Sequence, residues 1–337
     1  MIKKGALLMV SLILMAFLGI SASYAGGPAS SGDAAEYQWP SYTGPKKRIA
    51  VTRFDNKVEG VYGNWNLGDG MAEMLTTELM KTGRFIVVER QALQDILGEQ
   101  ELGQTGIVKK ETAAKVGQVL GAQIIVRGVV SEFRQNESGG GGGIGIGGFR
   151  LGVKSSNAYV AVDIRLIDSE TGQVLHSHNA SGKAESSGVA VGVSKGDVDF
   201  NGDSFKNTPI GQATRRAIHD SILFIISEME GMPFQAKVIK TEGKKVWINA
   251  GSALSIKSGF KFYAYAVGEE LVDPDTGLKL GADEKLIGTV EVRDVQDKYS
   301  IGFLMSGGGP LKKGDVLKLQ LEFSSGLFPS QLRHRSY

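Results

Sequence analysis

His176 and His178 stand two residues apart in Gln173–Ser181, a run that alternates like a strand, so both imidazoles face one side as a pair of metal ligands would. Neither a carboxylate nor a third histidine is evident beside them, and no metal site is assigned. Asp197, Asp199, Asn201 and Asp203 match the opening of a calcium loop. The twelfth position, however, is Thr208 rather than a bidentate glutamate, and the flanks alternate like strands, so this is read as a polar hairpin arm. Gly143-Ile144-Gly145-Ile146-Gly147-Gly148 has the spacing of a dinucleotide-binding turn, with Asp163 following. What comes next is strand, so there is no helix N-terminus to hold a pyrophosphate. The chain contains no cysteine, which excludes disulfides, thiolate zinc sites and cysteine nucleophiles. Neither a nucleophile elbow nor a Walker-type phosphate loop occurs. No catalytic constellation emerges, and the chain is expected to be a non-enzyme without cofactor or metal.

A second kind of chemistry is the gripping of a chain by aromatic and amide groups. Asp55 to Asn66 lacks periodicity but carries Tyr62, Asn64 and Trp65. Two readings are open: the aromatics point out of the loop as a repeated collar, or they pack onto the following helix and staple its start near Leu67.

The elements around this loop follow from periodicity. Arg48–Phe54 alternates as a strand, and Leu67, Met71, Met74, Leu75 and Leu79 recur at helical spacing with Gly83 as a stop. Phe85–Glu89 is a short strand. Gln91–Gln100 is a helix with Leu93, Ile96 and Leu97 inward, and Lys110–Leu120 a third helix. Gln123–Val130 is a strand, Ala158–Ile167 and Gln173–Ser181 flank a turn at Ser169–Gly172, and Gly211–Met229 is a helix with one apolar stripe. This is an α+β pattern.

Two segments alternate like strands outside that core. Phe149, Leu151 and Val153 are apolar on odd positions with Arg150 and Lys154 on even ones, whereas Val160, Val162, Ile164 and Leu166 are apolar on even positions. That single flip means that one continuous strand changes environment or carries a bulge. Val189, Val191 and Val193 alternate with small residues, and beyond Lys195-Gly196, Val198 and Phe200 alternate with Asp197, Asp199 and Asn201. The result is two hairpins, at about 130–154 and 183–205, with arms of about ten residues, the length of a tilted membrane-spanning strand. They are either solvent-exposed flaps or barrel strands, with Arg150, Lys154, Asp199 and Asn201 facing the lumen. Four strands cannot close a barrel, so the barrel reading requires several subunits.

Residues 1–25 read as a secretory signal peptide, with Lys3 and Lys4, an apolar run from Gly5 to Ile20, and Ser23-Tyr24-Ala25 at the cleavage site; the run is short for a retained anchor. Residues 26–45 read as a flexible linker. No later segment is apolar enough for a transmembrane helix. The near balance of 38 basic and 36 acidic residues argues against a nucleic-acid partner.

The run Phe85-Ile86-Val87-Val88-Glu89-Arg90-Gln91-Ala92-Leu93, with Gly121–Val130 and Val162–Asp168 followed by Thr171–Leu175, resembles the CsgG/HfaB family of curli and holdfast secretion channels. The likeness covers about Arg48 to Met232. It implies an outer-membrane channel facing the periplasm, a homo-oligomeric ring of about nine subunits sharing a barrel of about 36 strands, and passive export of unfolded extracellular fibre subunits with curli-type accessory proteins as partners. It also implies a constriction built from the loop after the first strand, which places Tyr62, Asn64 and Trp65 there. Family members resemble lipoproteins held by a cysteine at the cleavage site. This chain has Ala25-Gly26, so a lipid anchor is not expected. The alternative is a soluble periplasmic binding or assembly module of an envelope or flagellar-type complex.

From Phe234 onward short strands separated by turns indicate a small all-β barrel domain over 233–323, after the domain at 46–232 and before a tail at 324–337. This part resembles the C-terminal domain of FlgT-type flagellar accessory proteins.

Overall fold

The computed structural model describes residues 37–58, 66–88, 90, 93–105, 107, 121–139, 144–146, 149–151, 154–188, 203–275, 277, 279–307 and 309–320. The expected signal peptide, the helix at 110–120 and the C-terminal tail lie outside them.

The first body is a mixed sheet in the order β3-β1-β4-β7-β8. Its strands are β1 (Lys47–Val51), β3 (Phe85–Val88), β4 (Ile124–Gly139), β7 (Lys154–Asp168) and β8 (Val174–Gly188), and β2 (Asp55–Asn56) pairs with β4 off this path. β1 runs parallel to β3 and β4, whereas β4, β7 and β8 are mutually antiparallel. Helices α1 (Leu67–Lys81) and α4 (Pro209–Gly231) bury Met71, Leu75, Ile218 and Ile222 against Ile49, Val126, Val160 and Ile164. Such a core forms because both helices carry one apolar stripe and the strands alternate. α4 starts on Thr208, whose side chain accepts from Gly211 N, with Pro209 at its first position. α3 (Asp203–Lys206) precedes it and buries Phe205. At Gly182 of β8 an added Cβ would lie 1.9 Å from Ala213 O, so α4 rests directly on the strand.

Several expectations are corrected. α2 spans Leu93–Leu102, and Leu97 points to solvent while Gln100 is buried. β6 (Phe149–Leu151) and β7 lie on either side of residues 152–153, which are outside the described residues. Phe149–Leu151 pairs antiparallel with β5 (Ile144–Ile146), in keeping with the hairpin expected around the glycine run. Residues 37–45, expected as part of a loose linker, pack on the body: Tyr37 and Trp39 stack on His219 of α4, and the Arg84 guanidinium lies over Tyr42. Aromatic groups, rather than the surrounding small residues, decide that stretch.

The second body is a closed barrel in the order β10-β13-β12-β11-β14-β9. It comprises β9 (Gln235–Glu242), β10 (Lys245–Ile248), β11 (Lys261–Val272), β12 (Lys279–Val295), β13 (Ser300–Gly307) and β14 (Val316–Leu319). Phe262, Val246, Ile248, Val290, Val292 and Leu317 fill its core. Lys46 N donates to Leu254 O, joining this part to the start of β1. Among the described residues no helix is long and apolar enough to cross a membrane.

Candidate functional site

The loop singled out in the sequence is held at both stems. Thr52 N donates to Val126 O, β2 pairs with Val129 and Val130, and Lys57 N donates to Val130 O, so the chain leaves β1 alongside β4. The outgoing stem buries Phe54, and Val58 packs on the core; the returning stem buries Leu67 at the start of α1. The stems touch: a Cβ on Gly68 would fall 2.1 Å from Phe54 O. The Phe54 ring in turn occupies the space above Gly128, where a Cβ would meet it at 2.5 Å. Two glycines therefore admit one aromatic side chain and its backbone, closing the base of the loop.

Ion pairs flank this clamp. Arg127 Nη2 donates to Asp55 Oδ2 at 2.8 Å, and that bond with the arginine's charge holds the exposed Asp55 carboxyl below the usual carboxylate range. Arg53 Nε lies 2.5 Å from Asp69 Oδ1, and Asn66 Nδ2 donates to Asp69 Oδ2 at 2.7 Å. Asp69 in the first turn also suits the positive end of α1.

Tyr62, Asn64 and Trp65 lie outside the described residues, as do Asp199 and Asn201. Arg150 is on β6 opposite Gly145, and Lys154 opens β7 opposite Gly139 and Gly188. That last register matters. Gly139, Lys154 and Gly188 pair at one level of a three-stranded ribbon, so the segments 140–153 and 189–202 connect to it at the same place in the sheet. The ribbon is 15 to 16 residues long, about 50 Å at ~3.3 Å per residue. Its core-facing side chains are covered out to Phe133, Ser156 and Ala184, beyond which the strands continue. One bulge, between Val130 and Glu132, breaks the β4–β7 register.

The two histidines are not isolated. His176 Nδ1 lies 3.0 Å from Glu228 Oε2, and His178 Nε2 lies 3.3 Å from Asp220 Oδ2, which also accepts from Ser181 N. Both carboxylates come from α4, so the imidazoles tie the helix to β8. Among the described residues no group of three or more ligating side chains could hold a metal. Lys47 ties the C-terminal end of α4 to the sheet beside Glu228: its Nζ donates to the carbonyls of Met229 and Met232, and burial pushes its pKa down to about 8 against the opposing charge of Glu230.

Sequence reasoning missed Phe54, Gly68, Gly128 and the Asp55–Arg127 pair. A glycine inside a helix and another inside a strand were the available signals, since each is disfavoured there unless something approaches closely.

A family model described as "Curli production assembly/transport component CsgG" matches residues 36–258. Among curated relatives, the curli production assembly/transport component CsgG of Salmonella typhimurium LT2 is 26% identical over 172 residues, covering 46% of this chain and 59% of that protein. The protein of the same description from Escherichia coli K12 is 27% identical over the same coverage. The match thus spans 59% of the length of these relatives. A solved structure of a hypothetical protein from Chlamydia trachomatis aligns over 55% of this chain and 96% of its own at 15% identity, with a TM-score of 0.32.

Proposed function

The chain belongs to the CsgG family of curli production assembly/transport components, and on that premise we propose that it is a subunit of an oligomeric outer-membrane channel that exports unfolded extracellular fibre subunits. The observation that carries this reading is the pairing of Gly139, Lys154 and Gly188 at one level of the β4–β7–β8 ribbon, where two segments of fourteen residues each, 140–153 and 189–202, connect to it. Each is long enough for a hairpin that extends the ribbon. Hydrocarbon tolerates no open sheet edge, so copies of the chain join their hairpins into one closed barrel, about nine copies giving about 36 strands. Arg150, Lys154, Asp199 and Asn201 then face the lumen.

The loop between Val58 and Asn66 is the constriction. Its stems are fixed by the Phe54–Gly68–Gly128 clamp, so every copy presents the same short loop at the same height. Tyr62 and Trp65 repeat around the axis as collars with Asn64 between them. Such a ring grips an extended chain through backbone and side chains without sequence preference and refuses a folded domain. Transport is passive, with no nucleotide consumed. The partners are fibre subunits and curli-type accessory proteins.

Fractionation tests the reading. After carbonate washing of envelopes the full chain stays in the membrane pellet, and detergent extracts it as a ring far heavier than one subunit. Release by carbonate as a monomer would replace this reading with a soluble periplasmic assembly module.

A further inference from the structure

The barrel carries a two-stranded arm. β11 pairs with β14 only over Phe262–Tyr265, and β12 pairs with β13 only from Gly288 onward. Ala266–Val272 and Lys279–Ile287 therefore pair with each other alone, about 23 Å of ribbon at ~3.3 Å per residue. An isolated pair of strands is marginal in water. This one also exposes Val267 (39%), Leu271 (51%), Val272 (49%) and Leu286 (54%). Its charge is one-sided: Glu269, Glu270, Asp273, Asp275, Asp283 and Glu284 stand against Lys279 and Lys285. Lys318 of the chain's own β14 pairs with Glu284 and leaves the arm acidic.

The β9–β10 hairpin is its opposite. It carries Lys237, Lys240, Lys244 and Lys245 against the single acid Glu242, which pairs with Lys240. The Lys240 and Lys245 ammoniums lie 5.0 and 4.7 Å from the centre of the Trp247 ring, and Ile239 is 42% exposed. In the closed order β10-β13-β12-β11-β14-β9, the pair β9–β10 falls directly across the barrel from β11–β12. An acidic apolar arm and a basic apolar hairpin thus occupy opposite walls of one small barrel.

We propose that the arm of one copy docks on the β9–β10 hairpin of a second copy, Leu271 and its apolar neighbours against Ile239 and Trp247, with the arm's carboxylates facing Lys244 and Lys245. Such a contact is heterologous, because each copy gives one surface and receives on the other, and it generates a ring when the rotation closes. It lies entirely between C-terminal barrels. It goes beyond the channel reading and does not depend on insertion of the hairpins.

The absence of cysteine makes the full chain suited to cross-linking. Leu271→Cys and Ile239→Cys, both at exposed positions, are placed on separately tagged full-length chains, co-expressed, extracted and oxidised. The expected result is a disulfide-linked dimer containing both tags, whereas either variant expressed alone stays monomeric on a non-reducing gel. The double variant gives a ladder of dimers, trimers and higher forms. Glu269→Lys in the arm variant lowers the cross-linked fraction several-fold, and Lys244→Glu in its partner restores it. Salt of about 1 M, where the Debye length is ~3 Å, lowers it as well. Absence of the mixed dimer, or equal cross-linking of Leu271→Cys with itself, overturns the proposal; indifference to both charge reversal and salt overturns the charge pairing.

Discussion

Substituting Gly68 by alanine sets two effects of opposite sign against each other. Gly68 sits in the first turn of α1, and glycine inside a helix costs up to about 1 kcal/mol relative to alanine, so propensity alone favours the variant. The new methyl would lie 2.1 Å from Phe54 O and 3.2 Å from Phe54 C. An unstrained contact needs about 3.5 Å, so backbone would have to move by more than 1 Å. Neither side gives easily: Leu67 and Met71 are fully buried, and the Phe54 ring is wedged above Gly128. Overpacking of this kind costs about 1–3 kcal/mol, with the upper end expected against backbone. The net is a loss of about 2 kcal/mol, which at roughly 2–4 °C per kcal/mol lowers Tm by about 4–8 °C. Gly98 of α2 is the control, because nothing lies within 4 Å of an added Cβ there, and Gly98→Ala should be neutral or stabilising by up to about 1 kcal/mol. Thermal unfolding followed by circular dichroism compares the two. If Gly68→Ala leaves Tm unchanged or raises it as Gly98→Ala does, the loop stems are not clamped as argued.

His219 and Lys47 give two predictions with opposite pH windows. Burial lowers the His219 pKa below its ordinary 6.5, against the raising effects of Asp220 and Glu78. Below pH 6.5 the unfolded chain therefore binds the extra proton first, and stability falls as the pH drops. His219→Phe keeps an aromatic ring against Tyr37 and should lose less stability than wild type between pH 6.5 and about 5, measured as the shift in urea midpoint. A larger loss in the variant would refute the assignment. For Lys47, with a folded pKa of about 8 against an ordinary 10.5, the unfolded chain holds more protons between those values, so stability from this group rises with pH across the window. Lys47→Met should lack that rise, and an equal rise in both proteins, read from denaturation at either end of the window, would contradict it.

Where side chains alternate without interruption the sequence is readable: β1, β3, β7 and the long stripe of α4 stand where periodicity puts them. Legibility fails where a register shift or a distant partner intervenes. β11 and β12 are longer than the short strands expected after Phe234 because shifts at Ala264/Tyr265, Val267/Glu270 and Leu271/Val272 destroy the period of two. In the short helix α2 the expected stripe of Leu93, Ile96 and Leu97 leaves Leu97 exposed, since fewer than three turns do not fix which face is inward. Glu228 and Asp220 are 52 and 42 positions from their histidines and meet them only through the packing of α4 on β8. At the candidate site the loop was visible as a gap in periodicity. Its clamp was not, because β2 is two polar residues and close approach leaves no trace beyond a glycine.

The most direct measurement of the central claim is single-channel conductance of the full chain, reconstituted in a planar bilayer, beside Tyr62→Ala and Trp65→Ala. The account predicts a discrete conductance for wild type, a larger one for each variant, and unchanged melting temperatures, because the side chains removed narrow the pore and support no core. Contradiction would come from a wild-type protein that makes no conductance, or from variants that melt earlier while conducting as wild type does.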